Sequence, residues 1–150
     1  MKFSICKLLA ATALVIPCGL IGTLQNPAEA HHSASMFDFS KCTTLTGTVR
    51  KLDWVYPHSW LWVVVPNSSG AEDVWGFEFM SPVQAMGLDA RWKRDAVKKG
   101  DKVTVKFAVH REGKLLGAMS GVTLPDGYVL PGSPGLCGAP PTGGPDIPKP

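Results

Sequence analysis

An excess of charge of either sign is missing from this chain of 150 residues, in which 15 lysines and arginines meet 12 carboxylates for a formal net charge of +3. The densest cationic stretch, Arg91, Lys93, Arg94, Lys98 and Lys99, is interrupted by Trp92, Asp95 and Val97. Nucleic-acid affinity rests on several clustered phosphate contacts, so that partner class is excluded and the stretch reads as a solvated connection. The strong catalytic signatures are lacking as well. There is no G-x-S-x-G, no H-E-x-x-H and no paired C-x-x-C, which removes the nucleophile elbow, the zincin helix and the zinc ribbon. Ser59 adjoins His58 on a strand pattern, where neighbours project to opposite faces, so the two do not form a nucleophile and its base. Asp53, Glu78, Asp101 and Asp126 each read as a strand-end or turn residue. With no reaction class to name, a non-enzymatic role is the expectation.

Long apolar runs are scarce too. The single candidate, Leu8 to Leu24, is broken by Pro17, Gly19 and Gly22 and falls short of the roughly 20 predominantly apolar residues a membrane span needs. Lys2 and Lys7 precede it, and the A-x-A of Ala28 and Ala30 follows, which is the pattern of a cleaved export signal over residues 1–30. The mature chain then begins at His31 in the bacterial periplasm or outside the cell, with no stable membrane insertion. Pro17 stands where a lipoprotein signal wants a small residue, which argues against a lipid on Cys18.

Cysteine is sparse, at four residues. Cleavage removes Cys6 and Cys18 and leaves Cys42 and Cys137, an even number in a compartment where disulfides persist. One bridge, or two free thiols, are both consistent with the spacing.

The mature chain divides into a leader, residues 31–40, a body, residues 41–130, and a tail, residues 131–150, so dense in proline and glycine that disorder is expected of it. Within the body the apolar period is two, which argues for strands. Thr44 to Val55 reads as one long strand with Gly47 a bulge or bend. His58 to Val65 and Asp73 to Phe79 form a hairpin across the turn Asn67-Ser68-Ser69-Gly70. Ser81-Pro82 starts a short helix with Val83, Met86 and Leu88 facing inward. Val103 to Val109 and Leu115 to Leu124 complete five strands. Three strands, a helix and two strands is the element order of a small OB-like Greek-key β-barrel, all-β with one short helix between strands three and four. A sandwich of the immunoglobulin kind would need about seven strands and has no helix there.

In chain order, HHSASMFD, TLTGTVRKLDW, YPHSWLWV, FEFMSPVQAMGL, WKRDAVKKGDKVTV and GVTLPDGYVL resemble a family of small exported bacterial proteins known as a domain of unknown function, number 6152. The resemblance spans nearly the whole mature chain except the tail. It implies an exported single domain without an established reaction. Family members typically have Asn-Pro-His where this chain has Tyr56-Pro57-His58, so a role for that amide does not carry over.

Two constellations remain for function. The first is aromatic: Trp54, Trp60, Trp62 and Trp75 fall on the first three strands, the surface on which OB-like barrels receive extended or ring-shaped ligands. Trp60 and Trp62 share one face, with Leu61 and Val63 on the other. This points to a binding module for a small ligand, a glycan or an envelope protein. The second is the four histidines. A mature first residue His31 offers an amine and an imidazole to one metal, and a third nitrogen from His58, or failing that His32 or His110, completes a tetragonal set suited to Cu(II). That arrangement resembles the histidine brace of exported copper-binding proteins, and copper is the one cofactor expected on this alternative.

Overall fold

The computed structural model describes residues 35–138 together with 144 and 145. The stretch read as a signal peptide, His31 and His32, and the remainder of the tail lie outside them.

Alternating apolar residues build the strands as the sequence leads one to expect. β1 (Phe37–Asp53), β2 (Ser59–Pro66) and β3 (Glu72–Phe79) form an antiparallel meander, and α1 (Pro82–Leu88) follows. The pair β4 (Lys102–His110) and β5 (Leu116–Thr123) returns, with β4 lying along β1. A parallel pairing of β3 with β5, through Gly76↔Leu116, Phe77↔Gly117 and Glu78↔Ala118, closes the circle. The result is a closed five-stranded barrel with its helix between β3 and β4, the OB-like arrangement.

Two short strands lie outside that expectation. β6 (Tyr128–Pro131) adds to β5, and β7 (Gly144–Pro145) adds to β6.

The length of β1 reflects double duty. Its first part runs along β4 and its last part along β2, and Thr48 faces both Val64 and Lys102. The irregularity expected at Gly47 falls instead between Val49 and Lys51. Gly47 serves close approach: a Cβ there would stand 2.5 Å from Val63 Cγ1 and 2.5 Å from the Val64 carbonyl oxygen, so only glycine lets β1 press onto β2.

The start of α1 follows its sequence signal. Ser81 Oγ accepts the Gln84 N–H while Gln84 Oε1 accepts the Ser81 N–H at 3.1 Å, a capping box with proline in the first turn. Of the three residues expected inward, only Leu88 packs on the core. Pro82 and Ala85 are buried, whereas Val83 and Met86 are 61% and 45% exposed. Docking of the cap itself, Ser81 and Pro82, fixes the buried stripe at every third residue and turns Val83 and Met86 outward.

The main core holds Leu61, Val63, Phe77, Phe79, Val105, Phe107, Met119, Val122 and Leu130, with Ala85 and Trp92 joining it from α1 and the connection beyond. Trp92 packs at 4.9 Å on Phe79 and 5.7 Å on Trp54, and its indole N–H donates to the Pro131 carbonyl at 2.7 Å. The segment read as a solvated connection is thus anchored by a buried indole between its exposed cations.

A second, smaller cluster forms on the outward faces of β4 and β5. Ala108 and Ala118, which alternate with inward Phe107 and Met119, are covered by Phe37, and Met36, Leu116, Leu136 and Cys137 pack around them. β1 therefore begins at Phe37, inside the stretch read as leader, because Phe37 is an apolar anchor with 2% exposure. Residues 131–138, inside the stretch read as a disordered tail, carry the end of β6 and a 3-10 turn, Leu136–Gly138. Cys42 and Cys137 are joined by a disulfide with a Cα separation of 5.7 Å, closing a sequence separation of 95 residues.

Candidate functional site: the outward face of the barrel

Strand alternation separates the four tryptophans into two groups. Trp54 is buried under the helix end, stacked on Trp92. Trp75 is partly buried and packs on Phe77 and Phe107. Trp54, just beyond the end of β1, is claimed by the core, which corrects the expectation for it; Trp75 turns toward the barrel interior and is partly covered there.

Trp60 and Trp62 lie on the outward side of β2, half-buried, with Leu61 and Val63 fully inward. Their rings stack at 5.8 Å with 21° between planes. Trp62 is fixed from several directions. Its indole N–H donates to Asp53 Oδ2 at 2.8 Å, Lys51 Nζ lies 5.3 Å from its ring centroid, and the same ammonium donates to Asp53 at 2.7 Å. Its ring lies across β3 where Gly76 leaves room: a Cβ there would be 2.9 Å from Trp62 Cζ3 and 3.0 Å from Leu116 Cδ2. The Lys51 hydrogen bond above all, with a further contribution from the Trp62 hydrogen bond, holds the Asp53 carboxyl below its usual range despite the opposing effect of desolvation. Trp60 has one ring contact among the described residues, the stack itself.

Trp60 stands directly opposite Glu78 across the β2–β3 pairing. Cross-strand neighbours have Cβ atoms about 5 Å apart, so the aromatic pair continues into the surroundings of Glu78. That residue projects outward between inward Phe77 and Phe79, yet it is buried, at 7% exposure. What covers it is a cleft of about 320 Å³ lined by Phe37, Phe39, His58, Phe79, Met80 and Leu136, among others. His58 Nδ1 lies 2.5 Å from Glu78 Oε1, a distance that places a proton between them, and the imidazole is half exposed. Glu78 Oε2 is buried without a hydrogen-bond partner among the described residues.

The histidines do not gather. His110 is buried, at 5% exposure, edge-on to Phe37 at 5.9 Å. Its Nδ1 accepts the Glu112 N–H at 3.1 Å, which puts the neutral-state proton on Nε2, and that atom is buried without a partner among the described residues. With one lone pair engaged and the other nitrogen protonated, His110 is a poor metal ligand. His58 is the opposite case: Glu78 holds Nδ1, and Nε2 remains for a ligand. His31 and His32 lie outside the described residues. Among the described residues no three His, Cys, Asp or Glu side chains gather as a metal site.

The remaining polar cluster is structural. Tyr128 O–H donates to Asp89 Oδ2 at 2.7 Å, Arg91 lies 3.8 Å from the Tyr128 ring centroid, and Arg91 pairs with Asp126 at 2.7 Å. The Asp89 hydrogen bond first, then desolvation, raise the Tyr128 phenol above its usual value. This network ties the helix exit to the β5–β6 turn.

Sequence reasoning placed Trp60 and Trp62 on one strand face and treated His58 only as a candidate metal ligand; it read Glu78 as a strand-end residue and did not consider Phe37 or Phe39. The available signal was a carboxylate set between two core aromatics in Trp75-Gly76-Phe77-Glu78-Phe79, where alternation demands an outward residue and burial of that face demands a partner.

Among known proteins, the model of a family of unknown function, DUF6152, matches residues 20–119. No curated protein and no solved structure matches the chain.

Proposed function

Because the chain belongs to this family of unknown function, we propose a role from its own surface: a non-enzymatic binding module, exported to the periplasm, that receives its ligand on the outward face of β2 and β3. The observation that carries this reading is the Trp60–Trp62 stack, partly buried on the outward face and held by Asp53, Lys51 and Gly76 rather than by the core. A preorganised aromatic pair presents ring area at little entropic cost, and such pairs receive sugar rings, aromatic rings and peptide side chains by stacking. The test is a fluorescence titration of the folded protein with neutral oligosaccharides and small aromatic solutes. W60A should keep the circular dichroism spectrum and lose the ligand-induced change. A ligand that binds W60A and the parent protein equally well would overturn the aromatic-face reading.

A second reading, copper binding by a mature His31 amine and imidazole with His58, is favoured by one observation. Glu78 engages Nδ1 of His58, and carboxylate-backed imidazoles are oriented metal ligands. Protein beginning at His31 should bind one Cu(II), more tightly than Zn(II). One extra residue placed before His31 should weaken that binding sharply, and H58A should weaken it further. Unchanged affinity in the extended protein would end this reading.

A further inference from the structure

We propose that the cleft beside Trp60 is a binding site for an organic ammonium with an apolar body, its cationic end held by Glu78 and its body by the exposed rim residue Phe39 and the apolar lining of the cleft. The inference rests on the binding-module reading and deepens it by naming the ligand chemistry.

The argument begins with an imbalance. A carboxylate at 7% exposure has traded its water for protein contacts, yet only Oε1 has a partner, His58 Nδ1 at 2.5 Å. Oε2 has none among the described residues. A buried acceptor left unmade carries its full desolvation cost, and a carboxylate in an apolar wall carries more than a neutral group. No donor of the surrounding surface bonds Oε2 among the described residues. Phe37, Phe39, Phe79, Met80, Ala118 and Leu136 present carbon or sulfur to the cleft, and the polar lining residues Gln84 and Ser133 make no hydrogen bond to that oxygen. What would complete the carboxylate is a donor brought in from outside, and a cationic N–H is the donor a carboxylate binds most strongly.

The shape selects further. At about 320 Å³ the cleft is at the small end of ligand pockets, so it admits one ring or a short alkyl body and not a polymer segment. Phe39, 43% exposed, forms part of its rim. The buried carboxylate attracts a cation through its charge, and the exposed Phe39 ring at the rim adds the attraction of its quadrupole. The torsion that swings a glutamate carboxylate is broad, so presenting Oε2 to the cleft requires no backbone movement. Trp60, opposite Glu78 on β2, stands where a longer body would leave the cleft and meet the aromatic pair.

The wall nearest the tail is held covalently. Ser133, Pro134 and Leu136 line the cleft, and the next residue, Cys137, is bonded to Cys42 of β1.

The experiment is a calorimetric titration of oxidised protein with 2-phenylethylammonium, alongside 2-phenylethanol and phenylacetate, bodies of similar size bearing a neutral or an anionic end. The ammonium should bind with one-to-one stoichiometry and both comparison compounds at least about tenfold more weakly, the effect of losing a charge-assisted hydrogen bond. E78Q keeps shape and an acceptor for His58 but removes the charge, and should weaken the ammonium about tenfold or more while leaving 2-phenylethanol unchanged. F39A, at the exposed rim, should weaken all bodies by several fold without altering the preference for the cation. Equal affinity of the ammonium for E78Q and the parent protein, equal affinity for ammonium and alcohol, or no saturable binding of the ammonium would each overturn the proposal. W60A separates the two readings: if it loses oligosaccharide or solute binding while 2-phenylethylammonium still binds as in the parent, the aromatic face and the cleft are independent sites. If W60A is silent throughout and E78Q is not, the cleft stands and the aromatic-face reading falls.

Discussion

Two tryptophan pairs separate what holds this barrel together from what it presents. Trp54 and Trp92 stack at 5.7 Å under α1, both buried, and Trp92 also packs on Phe79 and donates to the Pro131 carbonyl. Trp60 and Trp62 stack at nearly the same distance, 5.8 Å, but on the outward face of β2, partly buried, fastened by Asp53 and Lys51. Stacking alone therefore does not distinguish core from surface. The difference lies in what surrounds the rings: apolar side chains on every side of the inner pair, polar anchors along one side of the outer pair.

The sharpest break in the comparison is to truncate one indole of each pair. W92A removes a fully buried ring and a buried hydrogen bond and should destabilise the domain by about 3–5 kcal/mol in denaturant titration. W60A should cost clearly less, about 1 kcal/mol, as for a partly buried residue outside the core without a hydrogen bond among the described residues. Similar losses at both positions would mean that the outer pair is a second core.

Opening the Cys42–Cys137 disulfide tests the outer region as a whole. Closing a loop of 95 residues limits the unfolded chain, so the double alanine variant should lose about 2–4 kcal/mol. Because Leu136 and Pro134 line the cleft, this variant should also lose affinity for 2-phenylethylammonium, measured in the same titration, whereas W92 fluorescence at full folding should not change.

Glycine substitutions give the next contrast. A Cβ at Gly117 would stand 2.3 Å from Phe107 Cδ2, and that ring is wedged 4.8 Å from Phe77 and 5.6 Å from Trp75. G117A should destabilise by about 1–3 kcal/mol through overpacking. At Gly76 the obstacle is the far edge of Trp62, which can tilt outward, so G76A should cost less and show itself as a changed Trp62 environment by quenching.

The smallest effect is that of pH on the outer pair. Asp53 titrates below its usual value of 3.8 because its ionised form is hydrogen-bonded by Lys51 and then by Trp62. A carboxyl with a depressed folded pKa stabilises fully above the unfolded value and loses that contribution as pH falls through the folded one. Below pH 3.8, therefore, Trp62 should lose its anchor, seen as a fluorescence transition that D53N abolishes and that leaves Trp92 unaffected. For a part-exposed pair the stability change is under about 1 kcal/mol.

The barrel was legible in the sequence because alternation is local. Val103, Val105 and Phe107, or Leu61 and Val63, announce an inward face within a few residues, and the capping box at Ser81 announces α1. The inward face of the helix was misread because Val83 and Met86 are apolar but are turned out by the docking of Ser81 and Pro82, a tertiary event. Trp54 and Trp75 were assigned to a ligand surface for a related reason: their strands were recognised, but which side of each strand faced the closed core depends on how β1 coils between β2 and β4. Phe37 carried no local signal at all, since the face it covers is supplied by Ala108 and Ala118, some seventy and eighty residues away on two other strands.

By itself the sequence determined the order of the five barrel strands, the position of the helix and the sharing of one strand face by Trp60 and Trp62, because periodicity, capping and turn chemistry act over a few residues. Only the tertiary structure decided that His58 meets Glu78, that Glu78 is buried on the outside of a barrel, and that the N-terminal strand and the disulfide-held tail make a cleft over it. Those contacts join residues between 20 and about 100 positions apart, and their energies come from burial and pairing in a closed sheet, which no local pattern encodes.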